Sequence, residues 1–106
     1  MIRTYAATLT SAAAGVTNVL NVGVPDGETW TLLEIRIPLD VFADTHVRIF
    51  LNDVQQYDLI PTVDNHEYVI GDQIVGPVDI RCTVEKLTAT AQILGITLVV
   101  DQPLQP

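Results

Sequence analysis

The sequence predicts an all-β fold, a single-domain antiparallel β-sandwich of about eight strands rolled as a jelly roll, and three observations carry that expectation. The 106 residues include 14 Val, 10 Ile and 12 Thr, β-branched side chains that are stiff at χ1 and pack well on a pleated surface. No stretch of a dozen residues repeats apolar positions at i, i+3, i+4, i+7, so no amphipathic helix is expected. Turn-forming residues cut the chain into short runs, which is the punctuation of a sandwich rather than of alternating strands and helices.

Taken in order, strands are expected at Ile2–Leu9, Thr17–Val24, Thr29–Ile37, His46–Leu51, Gln55–Ile60, Glu67–Ile70, Val78–Leu87 and Ala91–Asp101. Between the first two, Thr10–Gly15 holds three consecutive alanines and reads as a small-residue loop. Pro25-Asp26-Gly27 then reverses the chain, because Pro fixes φ and Gly accepts the positive φ that a turn needs. The third run changes parity: Trp30 and Leu32 share one face, Leu33, Ile35 and Ile37 the other. A β-bulge near Leu32 reconciles them, or else Trp30 packs elsewhere.

In the fourth run Val47, Ile49 and Leu51 take the core parity, which leaves Phe50 beside His46 and Arg48 and in need of a cover. Asn52-Asp53 predicts a hairpin turn into the fifth run. Gly71-Asp72 and Gly76-Pro77 mark two further breaks. In the seventh run Ile80, Cys82 and Val84 alternate with Asp79, Arg81, Thr83 and Glu85, the signature of a half-buried strand. The last run is apolar on both faces, with Leu94, Ile96, Leu98 and Val100 against Ile93 and Val99. Only a central position or a subunit interface would bury both. Residues 102–106 are expected as an extended tail, because their prolines cannot join a ladder.

Hydrophobic residues make up 48% of the chain and charged ones 17%, which favours a packed core over disorder. The length suits one domain, and no internal repeat or linker is visible. No apolar stretch reaches the roughly 20 residues of a membrane span, and no basic segment precedes an apolar one near the start; a soluble chain without a signal peptide is expected. Thirteen acids against five bases give a formal charge of −8, so nucleic acid is an unfavourable partner. Such an acidic, Lys-poor chain suits high salt, although GC-rich coding and a strand-rich fold produce the same bias. Cys82 is the single cysteine and cannot form an intramolecular disulfide; its core parity marks a buried, inert thiol rather than a nucleophile.

His46, His66 and Cys82 are too few for a structural zinc site. Asp64, Asn65 and Glu67 surround His66 in a polar turn that lacks the glycine of a calcium loop, and Asp40, Asp44, Asp53 and Asp58 fall in or near turns where Asp serves the backbone. No glycine-rich phosphate loop, nucleophile elbow or basic aromatic patch is present. No catalytic residue, metal ligand or cofactor is therefore assigned. The six aromatics, Tyr5, Trp30, Phe42, Phe50, Tyr57 and Tyr68, are few for sugar-stacking platforms once a core has been served. Phe42, inside Leu39-Asp40-Val41-Phe42-Ala43-Asp44, reads as a contact surface or as a flap over the sheet. The candidate interface residues are Trp30, Phe42, Phe50, Leu94 and Ile96.

The segment Val24-Pro25-Asp26-Gly27-Glu28-Thr29-Trp30-Thr31-Leu32-Leu33-Glu34-Ile35, with Val47-Arg48-Ile49-Phe50-Leu51-Asn52-Asp53 and Gln92-Ile93-Leu94-Gly95-Ile96-Thr97-Leu98, resembles small β-sandwich virion proteins of tailed phages and related archaeal viruses. The likeness covers about half the chain: a Pro-x-Gly-Glu-x-Trp turn opening a strand, a hairpin with a polar tip and a long apolar final strand. It implies a non-enzymatic capsid decoration, cement, spike or turret subunit on the virion surface. It also implies a homotrimer that contacts the major capsid protein or another virion protein. The alternatives are a carbohydrate- or receptor-binding module and a small jelly-roll enzyme or cupin-like metal protein.

Overall fold

Eight strands build the chain: β1 (Ile2–Ser11), β2 (Gly15–Val24), β3 (Thr29–Ile37), β4 (Thr45–Leu51), β5 (Val54–Leu59), β6 (His66–Val75), β7 (Val78–Lys86) and β8 (Gln92–Asp101). The computed structural model describes residues 1–11, 14–37, 45–60, 66–87 and 92–103, without the side chains of Leu9, Thr10, Ser11, Gln92 and Leu94. Phe42 and the rest of the 39–44 cluster lie outside the described residues, as do Asp64 and Asn65.

Pairing is antiparallel throughout and nested: β4 with β5, β3 with β6, β2 with β7 and β1 with β8. This amounts to one long hairpin of four strands per arm, rolled so that β8 also pairs with β3 and β7 with β4. Two four-stranded sheets result, in the orders β1-β8-β3-β6 and β2-β7-β4-β5. That is the jelly-roll sandwich the sequence predicts.

Between the sheets lie Leu32, Ile35 and Ile37 of β3, Val47 and Ile49 of β4, Ile80, Cys82 and Val84 of β7, and Ile96, Leu98 and Val100 of β8, all buried. Each of these strands is hydrogen-bonded on both sides. The parity change in β3 is resolved by a bulge: the register shifts between Leu32 and Glu34 against both neighbours. Leu33 drops out of the alternation, and Trp30, Leu32, Ile35 and Ile37 all reach the core.

Two element boundaries differ from expectation. Gly71-Asp72 does not end β6. Ile70 and Gly71 face the Leu33 bulge between the pairs Leu32↔Asp72 and Glu34↔Val69, and Gly71 takes the positive φ of 85° there, so the strand bends and continues to Val75. Thr10 and Ser11 remain in β1, opposite Ile93 and Gln92, and Gly15 already opens β2. The expected loop is shorter because its polar residues find ladder partners.

The turns at the described end of the sandwich are tied to one another. Glu28 donates its N–H to Pro25 O at 3.2 Å, closing the Pro25–Glu28 turn, and Gly76 donates to Glu28 O at 2.8 Å. Asn52 and Asp53 have φ of 51° and 66°, the pair of positive values that a two-residue hairpin turn requires. Asn52 also donates to Asp79 O at 3.0 Å, and its Oδ1 accepts the Asp79 N–H at 2.9 Å.

Candidate functional site

A sandwich made from two sheets has two open sides, where the edge strands face each other across the core. Here one side is formed by β1 and β2 and the other by β5 and β6. No acidic residue precedes Asp26, so β1 and β2 carry none of the thirteen acids. On the other side β5 contributes Asp58, and β6 contributes Glu67 and Asp72. These two strands thus add nothing to the charge of −8, although Glu28 lines the cleft beside them and Asp101 pairs with the N-terminus.

On the β1/β2 side a cleft of about 440 Å³ opens between the sheets, lined by Arg3, Tyr5, Trp30, Glu28, Gln102 and Asn21 among others. Tyr5 and Trp30 stack at 5.6 Å between ring centroids with 12° between the planes. Glu28 Oε1 accepts the Trp30 indole N–H at 3.0 Å, while the Tyr5 hydroxyl donates to Gln102 Oε1 at 2.7 Å. The Arg3 guanidinium sits 5.7 Å from the centre of the Tyr5 ring, within cation–π range. Of the four arginines, Arg3 is the one that makes no ion pair among the described residues.

Gln102, the first residue of the expected extended tail, is held against the sandwich. It is 4% exposed, donates its N–H to Met1 O at 2.8 Å and caps Tyr5. Trp30 is 3% exposed, covered by Tyr5 and the core. It and Ile96, fully buried on β8, offer no surface to a partner in this structure. The side chain of Leu94 lies outside the described residues. The apolar inner face of β8 is explained by its central position between β1 and β3; on the outer face Val99 is buried and Ile93 is exposed.

Phe50 finds its cover within the chain. Its cross-strand partner is Arg81, whose guanidinium lies 4.6 Å from the ring centre and 3.4 Å from Asp53 Oδ1. A second cleft of about 480 Å³ lies here, lined by Asn21, Gly23, Asn52, Asp53, Asp79 and Arg81 among others. Arg81 Nε is shielded from solvent without a hydrogen-bond acceptor among the described residues.

The rest of the polar chemistry is paired on outer faces. Arg48 reaches Glu85 at 3.0 Å and Asp58 at 3.6 Å, and the hydrogen bond to Glu85 holds its pKa above the usual arginine value. His46 lies 3.4 Å from Asp58, whereas His66 stacks on Tyr68 in the other sheet. Among the described residues no group of three or more His, Cys, Asp or Glu side chains is placed to hold a metal. Burial pushes the Cys82 thiol up to about 12, so it stays protonated and unreactive at neutral pH.

Sequence reasoning missed Arg3, Tyr5 and Gln102 as a cluster because they are brought together by the pairing of β1 with β8 across about a hundred residues. The one linear signal was the acid-free opening of the chain. Comparison with protein-family models finds no match, and comparison with curated proteins finds none either.

Proposed function

We propose that the chain is a non-enzymatic virion structural protein, a capsid decoration, cement or turret subunit that acts through protein–protein contacts. The observation that carries this reading is a side whose two edge strands, β1 and β2, carry no acid on an otherwise acidic body, so that a second protein can approach those strands with less like-charge repulsion. The jelly-roll wrap supports it by analogy of fold alone, since viral capsid domains share that architecture with lectins and cupins. Exposed Ile2, Val16, Val69 and Ile93 on strands rather than loops add apolar contact area. Cryo-electron microscopy of the parent particle tests the proposal: density outside the shell should fit this sandwich, and a shell with no such density would sink it.

A second reading, a carbohydrate- or receptor-binding module, is favoured by the Arg3–Tyr5 cleft, where planar polar groups surround an aromatic stack. A glycan array decides it. Binding that is lost in Tyr5→Ala would support a sugar site, and a blank array would count against one.

A further inference from the structure

We propose that β1 is an assembly edge that pairs antiparallel with β1 of a second copy of this chain, joining two four-stranded sheets into one of eight strands across a two-fold axis. An edge strand presents a row of unpaired N–H and C=O groups, and stable proteins blunt such rows with bulges, charges, glycine or short length. Three of the four edges here are blunted. β2 carries a register shift between Asn18 and Leu20 and two glycines. β5 is six residues long with a shift opposite Ile49/Phe50. β6 carries the Gly71 bulge and two acids. β1 has none of these: its ten residues pair with β8 without interruption from Ile2↔Asp101 to Ser11↔Gln92, and Arg3 is its one charged side chain.

The occupant follows from charge and self-complementarity. A chain at −8 repels its own copies over most of its surface, but β1 and its neighbour β2 contribute no acid to that repulsion. In antiparallel pairing, opposed residues must point to the same face, so the axis falls on a residue such as Ala6 or Ala7. Either choice keeps the two Arg3 groups at least ~20 Å apart at the strand rise, beyond the ~8 Å Debye length. The outer-face residues at the seam, Thr4, Ala6 and Thr8, are exposed and small, which lets the two backbones approach. Isologous pairing closes at two copies.

The pairing rests on the assembly reading for self-association and gives it a dimer in place of the homotrimer that the resemblance implies. A chain that docks on a capsid only as a monomer would fail the present test while the particle density above still stood. The test is light scattering after size exclusion across protein and salt concentrations, on the wild type, Thr4→Lys/Thr8→Lys and the control Thr31→Lys/Gln73→Lys. The control puts the same added charge at the far side of the same sheet face. The wild type and the control should reach twice the 11.6 kDa chain mass, more readily as salt rises. Thr4→Lys/Thr8→Lys should need at least tenfold more protein to do so, although it is less acidic than the wild type. Hydrogen exchange supplies a readout independent of variant folding: β1 amides should gain protection with wild-type concentration and β5 and β6 amides should not. A wild type monomeric under all conditions, a trimer, or association weakened equally by both variants would overturn the pairing.

Discussion

The two open sides of the sandwich are closed by the same residue type in opposite ways. On the β1/β2 side Tyr5 stacks on Trp30 and gives its hydroxyl hydrogen to the buried amide of Gln102. On the β5/β6 side Tyr57 reaches from one sheet to the other and donates to the exposed carboxylate of Asp72. The first bond is sheltered and sits beside strands that carry no acid; the second is an exposed clasp to an acid. A buried acceptor that loses its donor pays the full desolvation penalty, whereas an exposed one turns to water. The β1/β2 side should therefore be the less forgiving of change.

The largest effect should come from Trp30→Ala, which removes the fully covered ring under Tyr5 and should cost about 3–5 kcal/mol in urea unfolding. A cost below about 1 kcal/mol would mean that Trp30 is not the keystone of its side. Tyr5→Phe should cost about 1–3 kcal/mol because Gln102 Oε1 is left buried without its donor. Tyr57→Phe should cost less, about 0.5–1 kcal/mol, since water can replace the phenol at Asp72. Equal losses at the two tyrosines would erase the distinction between the sides.

Alkaline pH probes the interior and the β5/β6 side together. Burial raises the Cys82 thiol to about 12. Burial also raises the Tyr68 and Tyr57 phenols, and Tyr57 is raised further by its bond to Asp72. A folded pKa above the unfolded one means that the folded chain holds the proton more tightly. Its stability is full below the ordinary thiol value of 9.0 and falls as pH rises through the raised values. Urea midpoints should drop from pH 9 upward, and Cys82→Ala should flatten the fall between pH 9 and 10 by on the order of 1 kcal/mol. An unchanged slope in that variant would show that the thiol is not the group titrating. The smallest effect is a sum: Tyr5→Phe and Tyr57→Phe combined should add to within ~0.5 kcal/mol, because the two bonds share no partner.

How far the sequence revealed this follows from what kind of signal each feature leaves. The fold was legible because strand alternation is local: the parity change between Leu32 and Leu33 announced a bulge that both neighbouring strands register, and Asn52-Asp53 announced its hairpin. Gly71 misled because a positive-φ residue looks alike in a turn and in a bulge, and only the partner strand distinguishes them. Phe50 was rightly marked as needing a cover, but its cover, Arg81, lies thirty-one residues further along on β7. Trp30 was marked as a contact residue before the bulge turned it inward. The Arg3–Tyr5–Gln102 cluster left no local pattern beyond the acid-free opening of the chain, since it joins the two ends of the described chain.

The nested pairing has a consequence in time. β4 and β5 can meet as soon as both exist, being joined by two residues. Each further pair must close a longer loop, up to Ile2↔Asp101, which places this domain among slow-folding topologies. On a ribosome adding ~5–20 residues per second, the first strand is made several seconds before the central strand that will shelter it. The chain therefore passes its own infancy with β1 unpaired along both edges, and the freedom from acids that suits this strand to meet a copy also leaves it least defended against meeting the wrong one.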